Sequence, residues 1–111
     1  MRLTCTEAAN AFQRDWAQGL RARLKAGEPF AFANADTPLE VFHALGMPVV
    51  VNQWWSSVIA AKQLSALHLD ASERAGFHAR LAKYSALPLF AALDGRPEVQ
   101  PWGGLPPPGL L

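Results

Sequence analysis

The chain has 111 residues, half of them hydrophobic and 17% charged, with a formal net charge of +1. That length bounds it to one modest domain. The near-neutral balance excludes a disordered charged tail and a non-specific nucleic-acid binder, both of which need a surplus of charge. It is also oilier than an isolated domain of this size needs to be, so part of its surface is expected to be covered by a partner.

No apolar run reaches ~18 residues, so no transmembrane helix is expected. The N-terminal "MRLTCTEAANAFQRDW" lacks the uninterrupted apolar core of a signal peptide. Cys5 is the single cysteine. Alone it can neither form an internal disulfide nor hold zinc or an iron–sulfur cluster. The expected location is the cytoplasm, with neither nucleic acid nor membrane as a partner.

Residues 6–26, "TEAANAFQRDWAQGLRARLKA", read as an amphipathic helix. Phe12, Trp16, Leu20 and Leu24 recur every four positions and form a core-facing stripe. Thr6 is the expected N-cap and Gly27 the stop. Arg21, Arg23 and Lys25 form a solvated basic end, favourable at the negative pole of the helix dipole. "EPFAFANA" (28–35) reads as a short strand. In "DTPLEVFHALGMP" (36–48) Thr37, Pro38 and Glu40 are spaced as a capping box opening a two-turn helix that Gly46 closes. "PVVV" (48–51) is the β-branched run of a parallel strand buried on both faces. "WWSSVIAAKQLSAL" (54–67) reads as helix.

Strand, helix, strand, helix is the repeat that builds a parallel sheet. "DASERAGFHARLAKYSALPLFAALDG" (70–95) reads as helix capped by Asp70 or Ser72, with Phe77, Leu81 and Tyr84 on one face and a break at Pro88. The tail "RPEVQPWGGLPPPGLL" has five prolines and three glycines and is expected to be irregular. The expected fold is therefore α/β. An N-terminal helix (1–29) precedes a short parallel β-α-β-α-α unit, a Rossmann-like fragment (30–95), and a Pro/Gly-rich tail follows (96–111). Two strands are a poor stand-alone sheet, since independent sheets have about four to six, and both edges stay open. Another chain is expected to complete the sheet, unless the sequence is one piece of a larger domain.

In open parallel sheets, ligands bind beyond the carboxyl ends of the strands. "NADT" (34–37) and "NQWWSS" (52–57) occupy that place, which makes Asn34, Asn52, Gln53, Trp54 and Trp55 the candidate substrate-binding residues. Adjacent helical residues point about 100° apart. The two tryptophans therefore serve two surfaces, one buried and one facing a cleft or partner, unless both simply pack. His43 lies one turn from Glu40, a spacing compatible with an acid–base pair, although Glu40 is already assigned to the cap. His68 and His78 lack metal-ligand spacing. Arg74, Arg80 and Lys83 read as a solvated face. No residue is assigned a catalytic role and no metal site is expected.

The segment "ANADTPLEVFHALGMPVVVNQ" resembles the start of the 2-hydroxyacyl-CoA dehydratase and benzoyl-CoA reductase family. Pro38, Glu40, Ala44 and Gly46 match its P-x-E-x-x-x-A-x-G segment between two strands. The likeness continues through "AGFHARLAKYSALPLFAALDG" to "PWGGLPPPGLL" and covers residues 25–111. It implies Rossmann-like subunits paired as heterodimers, holding an iron–sulfur cluster through cysteines. Such subunits perform radical dehydration or reduction of acyl-CoA thioesters after one-electron activation. Where the family has a cluster cysteine, this chain has Ala82, Lys83 and Tyr84. The resemblance thus implies a small accessory or truncated subunit without redox chemistry of its own. It would contribute to acyl-CoA binding and dock on a larger related subunit or on itself. An iron–sulfur cluster is expected only on a partner chain. The other reading is a non-catalytic interaction module acting through Trp55 and the proline-rich tail.

Overall fold

The computed structural model describes residues 3–78, 80 and 83–106. Leu81, Ala82, the Lys83 side chain and the tail from residue 107 onward lie outside the described residues, and with them the expectations placed there. In chain order the elements are α1 (Thr4–Lys25), β1 (Ala31–Ala33), α2 (Leu39–Ala44), β2 (Val49–Val51), α3 (Asn52–Ala61), α4 (Ser65–Arg74) and α5 (Lys83–Asp94). Two 3-10 turns follow, Pro97–Val99 and Pro101–Gly103. The chain is α/β and mostly helical. Its two three-residue strands form a parallel pair, less sheet than a Rossmann-like unit contains.

The sheet is covered on both faces, as a parallel pair requires. Ala31 pairs with Val49, Phe32 with Val50 and Ala33 with Val51, and residues of one pair share a face. Phe32 and Val50 join Leu20, Phe30, Trp55, Ile59, Leu87, Ala91 and Leu105 in the main core. Ala31, Ala33 and Val49 face the other way, against Leu39, Phe42 and Met47 of α2 and its flanking turn.

The helix ends follow backbone rules more closely than side-chain ones. Gly27, at φ 90°, ends α1, with its N–H on Leu24 C=O and the Glu28 N–H on Arg23 C=O. Those paired bonds are a Schellman closure. Gln63 performs the same role after α3 at φ 57°, where only glycine is unstrained. This break divides into α3 and α4 the stretch that sequence pattern reads as one helix. None of the expected N-caps forms. Leu3 precedes α1 and Pro38 precedes α2, each without a side-chain cap bond, while Asp70 and Ser72 fall inside α4.

Pro88 lies within α5 instead of breaking it. A proline there removes the N–H that would reach the carbonyl four residues earlier, which is Tyr84 C=O. The buried Ser56 hydroxyl donates to that same carbonyl, so a side chain of α3 replaces the lost backbone bond. The tail is more ordered than its composition suggests. Pro101 and Leu105 are buried, and Trp102 C=O, in a left-handed turn (φ 50°), accepts from Arg21 Nη1 at 2.9 Å. A Cβ at Gly103 would lie 2.5 Å from that guanidinium, and the left-handed backbone there, at φ 86°, favours glycine. Arg21 and Arg23 are thus not a free basic face. Arg23 bonds Glu28 (2.6 Å) and Gly46 C=O (3.0 Å), tying α1 to the end of α2.

Candidate functional site

The carboxyl ends of β1 and β2 bring three of the expected residues together. Asn34 follows β1, while Asn52 and Gln53 open α3 directly after β2. Asn52 Nδ2 donates to Asn34 Oδ1 at 3.4 Å, and Gln53 Nε2 donates to the same oxygen at 3.5 Å. Gln53 Oε1 accepts the Ala35 N–H at 3.0 Å. One amide side chain thus ties the loop after β1 to the start of α3, and the group stands at the surface with long, exchangeable contacts.

Two hydroxyls outside the candidate substrate-binding set complete this corner. Ser57 Oγ and Tyr84 Oη donate to Gln53 C=O at 2.8 and 2.9 Å, and they also meet each other. Ser57 is reachable from sequence, because a serine four residues after Gln53 on a helix can bond its carbonyl. Tyr84 arrives from α5, twenty-seven residues further on, and has no local signal.

The paired tryptophans divide. Trp55 is 1% exposed and belongs to the core, so it is unavailable to a ligand or partner arriving from solvent. Trp54 is half-buried and sits in a layer holding all four tryptophans of the chain. Its ring centroid lies 5.4 Å from Trp16 edge-on, 5.5 Å from Trp55 and 6.5 Å from Trp102 in a stack. Lys62 Nζ stands 5.6 Å from the Trp102 ring, within cation–π range.

On its open side Trp54 lines a cleft of about 280 Å³ with Phe12, Gln13, Trp16, Val49 and Val51. A neighbouring cleft of about 450 Å³ shares Trp16 and Val49 and extends to Gly19, Arg23, His43 and Met47. Phe12 and Trp16 were expected in the core. Instead they are 71% and 37% exposed, because α1 buries residues only from Ala17 onward, at Ala17 and Leu20, and Trp16 meets the body through its ring contact with Trp54. His43 is exposed and makes no described hydrogen bond with Glu40, so the two do not form a pair.

The main buried polar cluster lies elsewhere. His68, fully buried on α4, has Nδ1 3.0 Å from Asp94 Oδ2 and donates from Nε2 to Val99 C=O at 3.0 Å. Asp94 also receives Arg96 Nε and Nη2, the latter at 2.7 Å. The Arg96 guanidinium, against partial burial and with help from His68, holds the Asp94 carboxyl below its ordinary value. This cluster pins α4, α5 and the tail together. Among the described residues no group of three histidine, cysteine or carboxylate side chains could hold a metal, and Cys5 is exposed and free. No described helix is long and apolar enough to cross a membrane. Protein-family models, curated proteins and solved structures give no significant match to this chain.

Proposed function

We propose that the chain is a non-catalytic subunit of a complex like the 2-hydroxyacyl-CoA dehydratases and benzoyl-CoA reductases. It docks on a larger cytoplasmic chain and contributes to the acyl-CoA side of the site. The observation that carries this reading is the meeting of Asn34, Asn52 and Gln53 at the carboxyl ends of two parallel strands, where open α/β sheets bind their ligands. Three amides supply both donors and acceptors suited to the carbonyl and amide groups of a pantetheine thioester. Tyr84, in the segment that the resemblance matches to a cluster cysteine, touches Gln53 and supports the same placement. The donor set here does not fit an iron–sulfur cluster, which needs several thiolates. The cluster and the electron transfer therefore belong to the partner, whose strands would complete a Rossmann-like sheet.

The test is purification of the tagged chain with its partner from the native host, followed by iron and sulfide analysis and acyl-CoA binding. The reading expects a larger cysteine-bearing subunit in equal amount, iron and sulfide in the complex, and weaker thioester binding with Gln53→Ala. A stoichiometric partner without iron or acyl-CoA affinity would overturn it. It would favour a plain interaction module. Such a module would act through Phe12 and Trp16, because Trp55, Pro101 and Leu105 are buried.

A further inference from the structure

The hydrogen-bond register of β2 leaves one side of the strand unused. In a parallel ladder, successive residues send their N–H and C=O to opposite sides. Ala31 N–H donates to Pro48 C=O at 3.0 Å. With Ala31 paired to Val49, it is Val50 that turns both its groups toward β1. Val49 and Val51 therefore turn theirs away. Val51 C=O is taken up as the N-cap carbonyl of α3. Val49 N–H, Val49 C=O and Val51 N–H remain, with no backbone partner among the described residues.

These three groups do not face open water on a flat edge. Val49 and Val51, buried and half-buried, line the trough formed by two adjoining clefts that share Trp16 and Val49. One wall is α1, from Phe12 through Trp16 and Gly19 to Arg23; the other is His43 with Met47. From Phe12 to Arg23 is eleven helical steps, roughly 16 Å, the length of about five extended residues. Gly19 marks the middle of the helical wall. A glycine inside a helix is unfavourable by about 1 kcal/mol relative to alanine, and a Cβ there would meet nothing within 4 Å. The space it leaves opens on the cleft that Gly19 shares with Val49.

We propose that this trough receives an extended strand from a partner chain, which pairs with the free edge of β2 and adds a third strand to the sheet. Free backbone donors and acceptors select an extended segment over a helix, whose own groups are satisfied internally. The residues of the incoming strand alternate between the two walls. One face presents valine-sized apolar side chains to Phe12, Trp16 and the gap at Gly19; the other presents threonine-sized side chains to His43 and Met47. A second copy of this chain does not fit the role by edge-to-edge pairing, because its β2 edge is equally recessed and cannot reach the floor of another trough. The inference deepens the docking role proposed above but needs no part of the acyl-CoA assignment, so iron-free co-purification would leave it standing.

The test uses the full 111-residue chain and a capped peptide of alternating valine and threonine, seven residues long, read by tryptophan fluorescence and calorimetry. A fully N-methylated peptide of the same sequence is the control. The peptide binds and the N-methylated form does not. Gly19→Leu raises or leaves unchanged the melting temperature, because leucine is the better helix former, yet weakens the peptide at least ~tenfold by filling the gap. Equal binding of the N-methylated peptide would reduce the trough to a greasy groove and overturn strand pairing. Undiminished binding to Gly19→Leu, or no binding at all, would overturn the site. Dimerisation in sedimentation that Gly19→Leu abolishes would assign the trough to a second copy and overturn the partner-chain reading.

Discussion

In the half of the molecule built from α3, α4, α5 and the tail, buried polar groups are largely matched. His68 bridges Asp94 and Val99, Ser56 supplies the bond that Pro88 removes, and Arg21 holds the Trp102 carbonyl. Trp55 Nε1 and Gln100 Oε1 are the unpaired exceptions among the described side chains. Along β2 the situation is reversed. Three backbone groups have no backbone partner among the described residues, with Phe12 exposed and Trp16 partly exposed beside them. Buried groups left unpaired are costly, and satisfied ones rigidify. Both halves share one apolar core, but matched buried polar groups concentrate in the first, whereas the second leaves backbone groups and apolar surface open.

Substitutions on the two sides should separate these roles. Trp55→Ala opens a large void in the main core and is expected to destabilise by about 3–5 kcal/mol, enough to unfold much of a marginal domain in a urea titration. Ser56→Ala strands Tyr84 C=O beside Pro88. It should lower the urea midpoint by an amount corresponding to about 1–3 kcal/mol. Ser56→Thr, which keeps the hydroxyl, should recover part of the loss.

The same half should also set the acid limit of the fold. The carboxyl of Asp94 is held low mainly by Arg96, then by His68. Its contribution is therefore present above the unfolded aspartate value of ~3.9 and is lost as pH falls through the folded value. Thermal melts should show a drop below about pH 4 that Asp94→Asn flattens. Gln63→Gly should stabilise by up to about 1 kcal/mol, by relieving the left-handed backbone after α3. Phe12→Ser should change the melting curve by no more than about 0.5 kcal/mol while weakening strand binding. That contrast between Trp55 and Phe12 is the sharpest separation of the two halves.

The sequence made parts of this legible for physical reasons. Three consecutive valines after Gly-Met-Pro could only be a strand covered on both faces. The four-residue spacing in α1 correctly joined Phe12, Trp16, Leu20 and Leu24 on one side. Spacing reports which residues share a face, not how far along the helix the neighbour extends, so the bare upper half of that face was invisible. The convergence of Asn34, Asn52 and Gln53 was readable because strand ends in a parallel pair lie side by side. The bonds of Tyr84 to Gln53 and of His68 to Asp94 depend on where α5 docks, and nothing local encodes that. The break at Gln63 was hidden for a related reason: a residue with no turn preference takes a left-handed conformation where α3 and α4 each pack against α5.

Amide hydrogen exchange at Val49, Val50 and Val51 in the free chain and with the strand peptide tests the central claim most directly. The account predicts that Val50, bonded to β1, is protected in both states, whereas Val49 and Val51 exchange quickly alone and become protected with peptide. Slow exchange at Val49 and Val51 in the dilute, monomeric chain would mean that the edge is already satisfied, and would contradict it.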